Sequence, residues 1–581
     1  MKSSSDLKTM LASIHRKSYP AYKDLRGIYS FGDYTLSIDH VQGDPFAAPS
    51  SLSIRIPLST AGFPSHYYRE KHTRIALQDY LNRQFEQQVY HFSFKAKGSG
   101  KSGLISVSRC GQEILDRTAC EITASDLTAR FTVGFPANGR TINAPELEKI
   151  LFEFLPVCVR KSFLYKNQNA KTVESVFFLA EDQQYIREEL ESWNLAAFVA
   201  DGAILPRQSG VSDKPLADCV PFSSPDSMRI ELNLPHKGKI TGMGIPVGIT
   251  LIVGGGYHGK STLLNALESG VYNHIAGDGR EYVIADQTAV KLRSEDGRFV
   301  KDVDISMFIN DLPNKKDTHC FSTPDASGST SQAAAIVESM EAGSRLFFID
   351  EDTSATNFMV RDTFMQHVIS RHKEPITPFL ERAGDLYEKA GISTILVAGS
   401  SGAFFHIADT IIQMDCYRPV DITDSVKELC KDFPLPPADT PAFILPQSRR
   451  VMSTPDFREP QGRRGGRGAE GNGHGPRENR GLKTKTHDRY TFSIGKESVD
   501  LRYVEQLTDF EQTAALASIL RYACENLIDG RKTLDQVVKL LLHQLETKGL
   551  SSVCGTSYTP CGLAMPRPQE IYACFNRFRR Q

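Results

Sequence analysis

The chain has a single tryptophan in 581 residues, and nowhere does it hold the run of about 18 apolar residues that a membrane-crossing helix needs. A soluble protein with no membrane partner is expected. Its 11 cysteines fall outside any C-x-x-C pair or zinc-like spacing, which argues against a disulfide scaffold or a zinc module and suits free thiols in a reduced, intracellular protein. The formal net charge of −1 leaves no chain-wide field to draw nucleic acid or membrane. Any polyanion must therefore be met by a local patch.

Length is not scarce; it allows about three or four domains. Glycine is plentiful too, and it gathers at a few places. The densest is Gly254-Gly255-Gly256-Tyr257-His258-Gly259-Lys260-Ser261-Thr262, after the apolar run Ile249-Thr250-Leu251-Ile252-Val253 and before the helix-like Leu263-Leu264-Asn265-Ala266-Leu267. The spacing G-x-x-x-x-G-K-S between strand and helix lets backbone N–H groups wrap phosphates, because glycine permits close approach and the helix adds its positive end. Lys260 is expected to reach the β- and γ-phosphates of ATP, and the Ser261 hydroxyl to ligate Mg²⁺.

A second signature stands 90 residues after Lys260, where Leu346-Phe347-Phe348-Ile349 runs into Asp350-Glu351. An apolar strand ending in two carboxylates lets Asp350 hold Mg²⁺ through water and Glu351 polarise the attacking water. Between the two lies Ala326-Ser327-Gly328-Ser329-Thr330-Ser331-Gln332, a serine-glycine turn opening a helix over 333–342. Such a turn is an anion site, facing its own chain or another.

The rest of the chain arranges itself around these signatures. Leu7, Met10, Leu11 and Ile14 share one face of a first helix; the lysines around it resemble a transit peptide, but Asp6 favours an ordinary first helix. Alternation at 34–39, 52–56 and 121–133 predicts half-buried strands, and the pattern at 144–159 predicts a helix broken at Pro156. The expected divisions are an N-terminal α+β domain over 1–224, an α/β core over 225–434 and a disordered Arg/Gly-rich linker over 435–488. A small helical domain over 489–581 completes the chain. The strands at 345–349 and 393–397 are continuously apolar, as in a mostly parallel sheet covered on both faces.

Two stretches are locally basic. Residues 449–485 hold 10 basic and four acidic residues around Arg463-Arg464-Gly465-Gly466-Arg467, a composition that binds flexible single-stranded RNA by phosphate contact and stacking, or simply stays solvated. Lys95, Lys97 and Lys101 surround Gly98-Ser99-Gly100-Lys101-Ser102-Gly103. This is not a second phosphate loop, since Lys95 stands where its first glycine belongs; it reads as a basic hairpin turn able to contact a polyanion.

In this order, phosphate loop, Ser-Gly turn, apolar strand with Asp-Glu, then Asp352-Thr353-Ser354-Ala355-Thr356, the chain resembles the nucleotide-binding domain of the ABC superfamily. More narrowly, Asp278-Gly279-Arg280-Glu281, Glu295-Asp296-Gly297-Arg298, the stretch 350–362 and Glu374-Pro375-Ile376-Thr377-Pro378-Phe379 resemble a family of soluble ABC-class ATPases. That family lacks a transmembrane partner and includes a kinetoplastid mitochondrial protein of an RNA-editing accessory complex. The resemblance also takes in 42–49, 98–103 and 201–207.

The resemblance implies a head-to-tail homodimer in which Ser327, Gly328 and Ser329 of one subunit close over ATP held by the other, with hydrolysis releasing the pair. It further implies a Mg²⁺-dependent ATPase acting on RNA or an RNA-processing complex, in the mitochondrial matrix or the cytoplasm. The alternative is a nucleotide-controlled assembly switch with little turnover and no nucleic acid. Departures from the pattern favour slow turnover. Ala398-Gly399-Ser400-Ser401-Gly402 stands where a switch histidine is usual, with His406 too far on, and Phe308-Ile309-Asn310 is the nearest match to the glutamine loop. Only 65 residues separate Lys260 from Ala326, so the inserted helical subdomain that docks on transporters should be small or missing.

Overall fold

The structure is a computed structural model that describes residues 1–361, 368–369, 373–435, 440–447, 450–454 and 482–579. The Arg/Gly-rich centre of the expected linker, with Arg463, Arg464 and Arg467, lies outside the described residues, as does Asp362.

Helix α1 (Ser4–Ile14) opens the chain with a capping box between Ser3 and Asp6, and Leu7, Leu11 and Ile14 are buried. Asp6 thus serves as the helix's N-terminal anion. A seven-stranded sheet follows, built on β1 (Gly27–Ser30), β2 (Thr35–His40), β3 (Ser50–Pro57) and, after helix α2 (Lys71–Phe92), β4 (Asp126–Val133). Leu36, Ile54 and Phe131 alternate inward to meet Phe85 of α2. The helix starting at Ala144 runs on to Phe163 instead of stopping at Pro156, with a wider turn over Lys149–Phe154. The wide turn stands just before the proline, whose missing N–H and ring disfavour regular helical bonding.

The basic stretch at 98–103 is no hairpin turn. It joins the end of α2 to the short strand Ile105–Ser106, which pairs with β4. Gly103 has a φ of 80°, and a Cβ there would lie 2.0 Å from the Ala96 carbonyl oxygen. Close backbone packing, rather than phosphate, explains this glycine.

Helix α3 (Ala170–Ser192) leads to an antiparallel sheet of β5 (Leu195–Ala200), β6 (Arg229–Leu234), β7 (Gly238–Pro246) and β9 (Val283–Ala285) in the order β6-β7-β5-β9. This sheet crosses the boundary expected at 224–225, since β5 precedes it and its partners follow. The nucleotide core is a six-stranded sheet of β8 (Ile249–Val253), β10 (Val290–Leu292), β11 (Leu346–Asp350), β12 (Ser393–Val397), β13 (Thr410–Asp415) and β14 (Arg418–Asp421). Its order is β10-β11-β12-β8-β13-β14, parallel except for the last pair. Ile252, Phe348, Ile395 and Ile412 face helix α4 (Lys260–Ser269), while Leu251, Phe347, Ile349 and Leu396 face α5 (Gly328–Glu341) and α6 (Phe379–Ala390). Both faces are buried, which is why these strands read as unbroken apolar runs. No helix intervenes between Ser269 and Gly328, so the transporter-docking helical insertion is missing.

The C-terminal unit is not purely helical. A three-stranded antiparallel sheet over Thr484–Thr486, Thr491–Ile494 and Glu497–Asp500 precedes α7 (Phe510–Asn526), α8 (Leu534–Lys548) and α9 (Pro568–Asn576). This unit is wedged between the other two. Asp509 and Glu511 take the buried Arg117 of the first unit at 2.6 and 2.7 Å. On the core side Gln506 donates to the Glu268 carbonyl at 3.1 Å, and Arg577 pairs with Glu295.

Candidate functional site

The carboxyl ends of β8, β11 and β12 lie side by side, and each runs into a segment singled out in the sequence. After β8 the loop 254–259 turns into α4, which no side chain caps. The first N–H groups of that helix are thus free for an anion. Gly254 has a φ of 139° and sits against β13, so that a Cβ would lie 2.4 Å from the Met414 carbonyl oxygen. Gly255, Gly256, Tyr257 and Ser261 are exposed, and His258, Gly259, Lys260 and Thr262 are half-buried. Lys260 Nζ folds back onto the loop, donating to the carbonyls of Gly254 at 2.8 Å and Gly255 at 3.0 Å. His258 accepts the Cys416 N–H at Nδ1 at 3.0 Å, tying the loop to the turn between β13 and β14.

Asp350 closes β11 and caps the short turn after it, accepting the Asp352 N–H at 3.1 Å. The Ser261 hydroxyl and the Asp350 carboxylate are hard oxygen donors of the kind Mg²⁺ takes, so the residues present fit that ion. Next to them Glu351 is held by the loop after β12. Ser400 donates its hydroxyl to Oε1 at 2.6 Å and its N–H to Oε2 at 2.9 Å, while the Gly399 N–H reaches Oε2 at 2.7 Å. Burial acts to raise this carboxyl, but hydrogen bonds from Ser400, Gly399 and Ser401 outweigh it and hold Glu351 below its ordinary range. In the sequence 398–402 stands out for the histidine it lacks, and the Ser400 hydroxyl is the signal available there. On the buried side of α4, Glu268 is pushed up to about 7 by burial, against the opposing charge of Lys291.

The helix expected over 333–342 begins earlier, at Gly328, so that Gly328 and Ser329 lie in the first turn of α5 with Ser327 at its N-cap position; the three residues have different surroundings. Ser327 is exposed and Gly328 half-buried, whereas Ser329 is buried and donates to Asn357 Oδ1 at 2.7 Å. Gln332 ties the same helix to the segment after Glu351, donating to Ser354 Oγ at 3.0 Å and accepting the Ala355 N–H at 2.9 Å. The helix opened by the Ser-Gly turn and the segment after Glu351 are thus mechanically joined. Gln332 and Asn357 stand inside the stretches 326–332 and 350–362 that the sequence marks, with no individual role assigned to either there.

Comparison with known families agrees with this geometry. A model described as the N-terminal part of ATPases of the ABC class matches residues 4–166, and a P-loop domain model of the same class matches 169–447. The chain belongs to the ABC-class ATPases. Its last part, 483–581, matches the MRB1590 C-terminal domain. ATP binding and the α/β P-loop fold between two further domains follow from this membership. An uncharacterised protein of Methanocaldococcus jannaschii, MJ1628, is 31% identical over 229 residues, 38% of this chain and 50% of that protein; the chain thus spans half the length of this relative. Among solved structures, the ADP form of MJ1267, an ATP-binding cassette of an ABC transporter, matches at 14% identity. It covers 33% of this chain and 88% of its own, with a TM-score of 0.23. CbiO1 from Clostridium perfringens matches at 15%, covering 35% and 93%, with a TM-score of 0.23. Among the described residues of this ABC-class ATPase, no helix is long and apolar enough to cross a membrane.

Proposed function

We propose that the chain is a Mg²⁺-dependent, slowly hydrolysing ATPase that works as a head-to-tail homodimer and couples its nucleotide state to the remodelling of RNA or an RNA–protein complex. The observation that carries the hydrolytic part is Glu351, an ionised carboxylate at the rim of the uncapped phosphate loop. Lys260, now resting on loop carbonyls, turns to the phosphates; backbone N–H groups of 255–262 and the end of α4 stabilise the charge that builds there. Ser261 and Asp350 would hold Mg²⁺, which would neutralise charge on the phosphate oxygens. Glu351 accepts the proton of the attacking water. The exposed Ser327 and the half-buried Gly328 then face the partner subunit's nucleotide, while Ser329 acts from inside through Asn357.

The RNA part is supported by a surface at one end of α2. Lys95 and Lys97 are exposed and Lys101 half-buried, and Phe46, Tyr90 and Phe94 show 63%, 74% and 53% of their surface. Cations interleaved with exposed aromatics suit phosphate contact and base stacking along a single strand. A second reading, an assembly switch without RNA, is favoured by the three hydrogen bonds that occupy Glu351 and slow any chemistry.

Steady-state hydrolysis of Mg²⁺-ATP with and without single-stranded RNA, for wild type and Glu351→Gln, tests the proposal. RNA-stimulated turnover abolished by the substitution is expected. Turnover indifferent to RNA, with ATP still driving dimerisation, would establish the switch instead.

A further inference from the structure

Strands β13 and β14 are joined by Cys416-Tyr417 alone, with Asp415 paired to Arg418 across the turn. Both turn residues have positive φ, 46° and 69°. A two-residue hairpin of that shape usually takes Asn-Gly or Asp-Gly, because other side chains are strained there. Cysteine and tyrosine are poor formers of such a turn, so their presence calls for a reason outside it.

That reason is their contact with His258, on the phosphate loop. The Tyr417 N–H donates to the His258 carbonyl at 3.2 Å, and the Cys416 N–H donates to Nδ1 of the ring at 3.0 Å. The imidazole also lies against Gly255, where a Cβ would come within 3.2 Å of it. Held in this way, the ring sets Nδ1 3.3 Å from Oδ1 of Asp415. An Nδ1 that accepts an N–H carries no proton of its own, so two atoms bearing lone pairs face each other at that distance. They repel unless a proton or a metal ion comes between them. Along a continuing strand Asp415 and Cys416 would point to opposite faces. At the turn the chain reverses instead, and the Cys416 thiol, the His258 nitrogen and an Asp415 oxygen all lie within 4.8 Å of one another.

We propose that His258, Asp415 and Cys416 bind one borderline-soft divalent cation of the Zn²⁺ type, which staples the phosphate loop to the turn after β13. Imidazole nitrogen, carboxylate and thiolate are the donors Zn²⁺ takes, at about 2.0–2.1, 2.0–2.2 and 2.3 Å. Around a tetrahedral ion these lengths put nitrogen and oxygen about 3.4 Å apart, close to the 3.3 Å found. Binding displaces the thiol proton, and Nδ1 exchanges the Cys416 N–H for the ion, leaving that N–H to water. Three protein ligands keep the fourth position for water. Ser261 and Asp350 offer oxygen alone, so Mg²⁺ and the softer ion sort between the two places by ligand type. The staple requires no nucleotide, and its failure leaves the ATPase reading untouched.

The test titrates Co²⁺ and then Zn²⁺ into the full chain, stripped of other metals and kept in excess Mg²⁺. A thiolate-to-cobalt charge-transfer band that saturates at one ion per chain is expected, and Zn²⁺ should abolish it. The chain holds 11 cysteines, so Cys416→Ser is the variant that assigns the band, and it should remove it. Asp415→Asn should weaken Co²⁺ binding by about tenfold or more. Both positions are exposed, and circular dichroism like that of wild type shows each variant folded. Hydrogen exchange, read peptide by peptide, gives a second readout: Zn²⁺ should slow exchange in 254–262 and 410–418 together in wild type, and in neither segment in Cys416→Ser. No band in wild type, a band that survives in Cys416→Ser, or exchange in loop and turn unmoved by Zn²⁺ overturns the proposal.

Discussion

Ser400→Ala removes the shortest of the three hydrogen bonds on Glu351 and leaves the two backbone donors in place. A hydrogen bond to a charged group contributes about 1.5–3 kcal/mol when buried. Glu351 is half-buried and water takes over part of the lost bond, so about 1 kcal/mol is the fair figure here. The carboxylate becomes more basic and freer to reach water by that amount, which corresponds to about fivefold in rate. Steady-state ATP hydrolysis by the full chain should therefore rise about fivefold in kcat with KM unchanged, while Glu351→Gln falls by about 100-fold or more. Ser400→Thr, which keeps the hydroxyl, should stay near wild type. A fall in kcat for Ser400→Ala as large as the expected rise would show that Ser400 aims the base instead of restraining it, and the reasoning would be refuted.

Gly254→Ala forces a Cβ to within 2.4 Å of the Met414 carbonyl oxygen at a φ of 139°, so denaturant unfolding should show a loss of about 1–3 kcal/mol together with weakened nucleotide binding. Asp278→Asn leaves Arg207 and His274 without their buried carboxylate and should cost about 3 kcal/mol or more. Burial acts to raise Asp278, but His274, Arg207 and Arg280 hold it below its ordinary value of 3.8. Its stabilisation is therefore present above that pH and lost as pH falls through the lower folded value, and acid titration of the variant should lack this component. Replacing Lys95, Lys97 and Lys101 by alanine should lower the slope of log affinity for single-stranded RNA against log salt by about 2. An unchanged slope would remove that surface from the RNA reading.

Much of the core was legible because its signals are local. Strand, glycine loop and helix follow one another from 249 to 269, and Asp350-Glu351 ends an apolar run. What was not legible depends on which strands become neighbours. Glu351 meets Ser400 because β12 lies between β11 and β8, a placement that no spacing in the chain announces. The same holds for β5, whose partners β7 and β9 lie on either side of the phosphate loop in sequence. The sheet at 484–500 was passed over because its strands are three or four residues long and border a basic, glycine-rich stretch. Gly98–Gly103 carried a phosphate-loop look that came from packing.

The wedge formed by the C-terminal unit has a consequence for biosynthesis. Residues 482–579 leave the ribosome after everything they grip, and at about 5–20 residues per second their translation takes on the order of 5–20 s. During that interval Arg117 has neither Asp509 nor Glu511, Glu295 lacks Arg577, and the end of the phosphate-loop helix lacks Gln506. A nascent chain of this length already holds the whole phosphate loop, yet it carries an open, charged seam that its own tail closes.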